Sequence, residues 1–494
     1  MLFLAFLSGP GRLDAAPNPP EPPPADPVVP TPDPEAPPPD KDPAAPELPP
    51  PIGDTAGSVR GAPRPGEESG RTDDVDPGDG VVRTIGRGLL WIPRLPFEIV
   101  LLPIRGIVYG IERYHVISTV TEIFTTDNHK LALYPTALFE TGFGLNAGIR
   151  GYTKDVLGAH EKLKARAAFG GSDLWLVEAG LDSGQLLGRR VSLSVDGIIA
   201  QHDRERFFGY GNSDDHDASG MAIHPLARDT GVASRFRVKD ARVSARLQVL
   251  LPERVAVAFT SALVKKQFDA TSPNNTDPDL ADVYMVDALP GFVEGTRYLY
   301  NELEVSIDTR RQASLWDAPS MRSTGGLVLA YGGEQHSLDG EPELFRLGID
   351  LQRFIRLTER PRTLQLRLWG EAVTGARDEV PFSELPRLGG DSLLRGYPVD
   401  RFRDRVAIVA QAGYTWAAAS WLAPVLFVDV GRVYSGLADL TYKDPRVGFG
   451  VAFEAYNLRG LLARVEIASS MDGGIYAFLG LNPTFDARAR VERH

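Results

Sequence analysis

The stretch Arg405-Val-Ala-Ile-Val-Ala-Gln-Ala-Gly-Tyr-Thr-Trp416 alternates. In an extended chain Val406, Ile408, Ala410, Ala412, Tyr414 and Trp416 fall on one face, while Ala407, Gln411, Gly413 and Thr415 tend to the other. Successive side chains of a strand point to opposite sides, so this period of two predicts a strand with one greasy side and one small or polar side. Thr363 to Ala372 repeats the scheme, with Leu364, Leu366 and Leu368 set against Gln365, Arg367, Trp369 and Glu371. Arg446 to Ala455 sets Val447, Phe449, Val451 and Phe453 against Gly448, Gly450, Ala452 and Glu454, and Leu462 to Ala468 sets Ala463, Val465 and Ile467 against Arg464 and Glu466. Charges on the second face need water or partners. Apolar out and polar in is the pattern of a transmembrane β-barrel.

Working outward from this stretch, strands are expected at 424–433, 446–456, 460–470 and 474–485 on one side of 404–416. On the other side they are expected at 362–374, 343–354, 322–333, 298–309, 254–266, 234–250, 190–201, 173–183, 162–171, 143–152 and 130–139. The total is sixteen, and the fold class is all-β, a sixteen-stranded antiparallel outer-membrane barrel over 129–486. Outer-membrane barrels join strands by short periplasmic turns and longer outer loops. With both chain ends periplasmic, 251–253, 417–423 and 456–459 are short, while 202–233, 267–297, 334–342 and 375–403 are long. A soluble β-sandwich has no reason to sort loop lengths by parity. The connections 153–161 and 310–321 are longer than the rule prefers.

Composition bounds the rest. The 494 residues carry a formal net charge of −12, which argues against a nucleic-acid partner, since no concentrated basic face is visible. There is no cysteine, hence no disulfide, thiolate metal site or lipidated cysteine. Residues 1–16 begin with an apolar run and reach Ala15 and Ala16, as a secretory signal would, although its basic leader is missing; an apolar tail is the other reading. Residues 17–80, rich in Pro, Asp, Glu, Gly and Ala, are expected to be a disordered linker. Residues 81–128 are apolar, but Arg94, Glu98 and Arg105 and three prolines break the run, so an amphipathic pre-barrel segment is expected rather than a membrane helix. A tail, 487–494, follows the aromatic Phe485 that ends the last expected strand.

Enzymatic readings find little support. The eight histidines, at 115, 129, 160, 202, 216, 224, 336 and 494, fall in expected connections, strand edges or tails, so a Ser-His pair has no natural base. Asp214-Asp-His-Asp217 with His224 reads as a solvated acidic loop in preference to a cation site. Gly209 to Asn212 precedes no helical pattern and is not a phosphate loop. No enzyme activity, metal or cofactor is expected.

Between the eleventh and twelfth strands lies Leu385-Pro-Arg-Leu-Gly-Gly-Asp-Ser-Leu-Leu-Arg-Gly-Tyr397, and the thirteenth strand holds Phe427-Val-Asp-Val-Gly431. With these motifs the chain resembles the BamA/TamA superfamily of outer-membrane assembly factors, the bacterial surface antigen family. Phe207-Phe-Gly-Tyr-Gly-Asn212 and Asp308-Thr-Arg-Arg311 also look like segments that recur in it. The resemblance implies that the loop tip Leu394, Arg395, Gly396 and Tyr397 folds back into the lumen and that Arg395 pairs with Asp429. Glu454 and Glu466 are second partners, because the alternation faces them the same way. A bidentate guanidinium suits inward carboxylates, and Gly389, Gly390 and Gly396 are expected to let backbone approach the wall.

The same resemblance implies an outer-membrane monomer embedded in lipid, acting in protein assembly, translocation or lipid transport on a protein or lipid client. The alternative is a structural surface-antigen barrel or gated diffusion channel. Family members that insert other barrels carry periplasmic polypeptide-transport-associated domains, and neither 17–80 nor 81–128 fits such a module.

Overall fold

A computed structural model describes residue 126 and residues 130–480, apart from 141–143, 156–160, 172–173, 185, 187–189, 214–221, 227–230, 272–276, 312–321, 341, 359–361, 419–421 and 458–459. The expected signal, the linker, nearly all of 81–128, Phe485 and the 487–494 tail lie outside the described residues, as does Asp214–Asp217.

The strands in chain order are β1 (Leu131–Glu140), β2 (Gly144–Lys154), β3 (Lys162–Gly171), β4 (Leu174–Asp182), β5 (Val191–Phe207), β6 (Ser234–Leu250), β7 (Val255–Asp269), β8 (Thr296–Asp308) and β9 (Gly325–Ser337). They continue with β10 (Leu344–Arg356), β11 (Arg362–Val373), the short β12 (Arg387–Leu388) and β13 (Phe402–Arg403), β14 (Val406–Trp416), β15 (Leu422–Tyr434), β16 (Arg446–Asn457), β17 (Gly460–Ser470) and β18 (Ile475–Gly480). Sixteen form one sheet in which each strand pairs with its neighbour in sequence, and β11 passes directly to β14. Every pairing is antiparallel, from β1–β2 to β17–β18. Residues β12 and β13 form a separate two-stranded ladder inside the long connection 374–405. β1 and β18 approach one another, yet no ladder joins them among the described residues.

The alternation sorts the side chains as the sequence requires, with the usual polarity inverted. On β11, Thr363, Gln365, Arg367 and Glu371 are buried while Leu366 and Leu368 are exposed. On β15, Phe427 and Asp429 are buried while Leu426, Val428 and Val430 are exposed. Water-soluble sheets hide leucine and expose charge; here the apolar face is the outward one. The inward charges are neutralised in pairs. Arg367 donates through Nε and Nη2 to the two oxygens of Asp350 at 3.0 and 2.7 Å, and Arg246 Nη2 reaches Glu304 at 2.7 Å. Arg346 Nη1 donates to Glu371 at 2.5 Å.

The expected strands match those of the large sheet in number and order, β12 and β13 being additional, and 234–250 is one strand, β6, with the expected bounds. β5 is longer than expected, running to Phe207 and placing His202 within a strand rather than in a connection. Its ladder with β6 shifts register between His202 and Glu205, and an inserted residue of this kind breaks the period that sequence reading follows. The helix α1 (Leu280–Val283) is four residues long. Among the described residues no helix is long and apolar enough to cross a membrane.

Candidate functional site

The connection from β11 to β14 turns back along the inner face, and its tip carries Arg395. Arg395 Nε donates to Asp429 Oδ2 at 2.8 Å and Nη2 to Oδ1 at 2.7 Å, so the guanidinium meets the β15 carboxylate with both prongs. Asp429 Oδ2 also accepts from the Arg395 backbone amide and from Gln411 Nε2 on β14, each at 2.9 Å. Both charged side chains have 0% exposure. Taking two ions out of water costs several kcal/mol each, roughly, unless geometry and extra hydrogen bonds offset it, and four donors on one carboxylate do so here. The Phe427 ring lies under the guanidinium, 3.6 Å from its carbon. Burial pulls the Arg395 pKa down, but the Asp429 carboxylate outweighs it and holds the group above its ordinary value. Arg395 is therefore a permanent cation.

The other expected partners divide. Glu466 Oε2 stands 3.8 Å from Arg395 Nη1, an ion pair without a hydrogen bond. Glu454 is not hydrogen-bonded to Arg395; its carboxylate accepts the Tyr456 hydroxyl at 2.7 Å. Tyr397 donates its hydroxyl to Asp472 at 2.7 Å beyond the end of β17, and its ring meets Phe402 edge-on at 5.0 Å. Leu394 is fully buried against the cluster that includes Leu388 and Val433, with a left-handed φ of 61°. A non-glycine residue there carries strain of roughly 1–2 kcal/mol, which the packing must outweigh.

The glycines play two parts. At Gly396 (φ 91°) any Cβ would strike the Ser469 carbonyl, and a Cβ on Gly448 would strike the Arg395 carbonyl, so the tip lies backbone against backbone on β16 and β17. Gly389 and Gly390 do not approach the wall as expected. The Gly389 amide donates to Leu393 at 2.7 Å and the Gly390 amide to Tyr397 at 3.1 Å, and a Cβ on Gly389 would strike Pro398. They fold the loop upon itself, because the loop has its own core, and wall contact is left to the tip.

Sequence reading missed several anchors. Phe382, at the start of the loop, sits among Phe207, Phe236, Phe268 and Phe292 with ring centroids 4.8–5.8 Å away. Beside it Glu384 accepts from Lys266 Nζ at 2.8 Å and the Tyr298 hydroxyl at 3.0 Å. Arg464 on β17 donates to the Asp391 carbonyl at 3.1 Å. An apolar and an acidic residue flanked by prolines, Pro381-Phe-Ser-Glu-Leu-Pro386, was the available signal. From the β5–β6 connection, Asn212 gives its amide to the Val433 carbonyl at 2.8 Å and accepts the Val433 amide at 3.0 Å. The Gly211 amide donates to the Arg403 carbonyl at 2.9 Å. Phe207 to Asn212 is thus a clamp across the long loop.

The Omp85 superfamily domain matches residues 155–454, a span that includes the strands from β3 into β16, the Arg-Gly-Tyr loop and Asp429. The chain belongs to the Omp85 superfamily. The resemblance drawn from Leu394–Tyr397 and Phe427–Gly431 is borne out at that level, and membership places this protein in the bacterial outer membrane. Among solved structures this Omp85 chain is similar to BamA from Haemophilus ducreyi lacking POTRA domains 1-3, at 13% identity and a TM-score of 0.50, over 71% of this chain and 69% of that one. That likeness is one of fold. It is also similar to CdiB from Acinetobacter baumannii, at 9% identity and a TM-score of 0.43, over 71% of this chain and 59% of that one. No curated protein matches the chain.

Beyond the loop, the Omp85 wall holds the second motif noted in the sequence. Arg310 grips Asp308 with Nε at 2.9 Å and Nη2 at 2.7 Å, and its Nη1 reaches Gln352 at 2.6 Å, which fixes the turn after β8. Among the described residues no cluster of three or more His, Cys, Asp or Glu is arranged to hold a metal ion.

Proposed function

We propose that this Omp85 protein is a sixteen-stranded transmembrane barrel that moves or inserts protein or lipid at the outer membrane without enzymatic chemistry, with the 374–405 loop as a lumenal latch. The observation that carries this reading is a loop fastened to the inner wall through Arg395 and Asp429, in a sheet whose end strands, β1 and β18, share no ladder among the described residues. Antiparallel ladders secure every other strand, so that seam is where the wall parts at the smallest cost in hydrogen bonds. The apolar outward faces of β7 to β11 and β14 to β17 form the lipid band that such a barrel needs.

The gated-channel alternative has the same loop as its gate, and the surface-antigen alternative needs no moving part. Depleting the protein and measuring the levels of other outer-membrane proteins and the lipid asymmetry of the membrane separates them. The transport reading expects one of the two to change. No change in either sinks it.

A further inference from the structure

We propose that the outward surface of β10, β11, β14 and β15 is a binding site for one anionic phospholipid of the periplasmic leaflet, with an acyl chain in a trough over Ala410 and Ala412 and the phosphate on Arg353. This requires only that the apolar band face lipid and is independent of what the barrel transports.

The trough follows from register. Leu368 pairs with Ala410 and Ala410 with Val430; one row on, Leu366 pairs with Ala412 and Ala412 with Val428. All six point outward, since the intervening Arg367, Gln411 and Asp429 are buried. Two methyl side chains between ranks of larger ones leave an apolar depression of about 500 Å³. That lies within the ~300–1,000 Å³ range of small-molecule sites.

Two arginines line this depression, and Arg367 is turned inward onto Asp350, which leaves Arg353 as the charge on the outer face. Arg353, on β10 opposite Leu366, lies between the buried Gln352 and Phe354 and is itself exposed, so it points to the lipid side. Among the described residues it has no ion-pair or hydrogen-bond partner. An arginine in the lipid band is unfavourable at a depth-dependent cost unless its head reaches polar groups. Arg353 lies four residues before Leu357, where the strand gives way to the turn, which puts the interface within reach of its long side chain.

Two further features mark this end as an interface. Tyr414 and Trp416 follow Ala412 on the same outward face, with ring centroids 5.9 Å apart, and such amphipathic rings favour the headgroup level. At this end only a few residues separate β10 from β11 and β14 from β15, as between strands on the periplasmic side of barrels. A guanidinium fork matches a phosphate with two parallel hydrogen bonds, whereas a choline head presents a compensating cation. Apolar trough, unpaired guanidinium and aromatic rings together specify a lipid that carries net negative charge.

Native mass spectrometry of the full chain in detergent, with equimolar palmitoyl-oleoyl-phosphatidylglycerol and palmitoyl-oleoyl-phosphatidylcholine, tests the site. The wild type is expected to retain the phosphatidylglycerol adduct about tenfold over the phosphatidylcholine one, as one charge-assisted contact allows. Arg353→Ala and Arg353→Gln bring the two lipids level. Filling the trough with Ala410→Leu and Ala412→Leu removes the retained adduct, while Arg297→Ala, an outward arginine at the other end of the strands, leaves the preference intact. Heat-modifiability establishes that each variant is folded. Equal retention of both lipids by the wild type, or a preference that survives Arg353→Ala or the filled trough, overturns the proposal.

Discussion

Arg395 and Asp429 are withdrawn completely from solvent, and each is the counter-charge of the other. Deleting one partner of a buried pair leaves an uncompensated ion, a loss of about 3–5 kcal/mol. Arg395→Ala is therefore expected to lower the unfolding free energy in urea by that amount, and a loss below about 1 kcal/mol, the scale of a surface pair, would refute the pairing. Arg395→Lys should recover little, because an ammonium supplies a point charge where Asp429 receives two prongs. Tyr397 carries a pH signature. Burial first, and then the neighbouring Asp472 carboxylate, raise its pKa above the ordinary value of about 10. A raised folded-state pKa means the contribution of its hydroxyl is complete below about pH 10 and is lost as pH climbs from there toward the folded value. Unfolding followed from pH 9 to 11 should show this fall in the wild type and a weaker one in Tyr397→Phe; equal slopes would remove Tyr397 from the latch.

At the scale of elements, the long loop is held at three places: its start by the Phe382 aromatic box, its tip by Asp429, and its return limb by Gly211, whose neighbour Asn212 is tied to Val433 on β15. Phe382→Ala should cost about 3–5 kcal/mol, as large-to-small changes in packed cores do, and should expose 374–405 to protease while the strands stay intact. Protection equal to wild type would show that the tip alone holds the loop. The strands themselves were legible because each is half buried and half lipid-facing, and a period of two survives in sequences such as Thr363–Ala372. The end of β5 was hidden because a register shift at His202 interrupts the period within a run of charged residues. Arg395 and Asp429 were found through motif resemblance, whereas Phe382 and Glu384 carry no periodic signal, since a loop core is defined by what it meets across the molecule. The same reason explains why Gly389 and Gly390 read in sequence as wall contacts: sequence shows that glycine is present, not which backbone it allows to come near.

For the whole molecule, charged pairs and the folded loop occupy the inner face, apolar side chains cover the outer one, and β1 and β18 close no ladder among the described residues. In the proposed sixteen-stranded barrel the lumen is wide, and the latch reading makes passage through it depend on where the loop sits. Planar-bilayer conductance of the full chain, compared with a chain lacking residues 375–403, reads this directly. A latched loop predicts low conductance in the full chain and a large, stable increase once the loop is removed; the same conductance in both, with each shown to be folded by heat-modifiability, would contradict it.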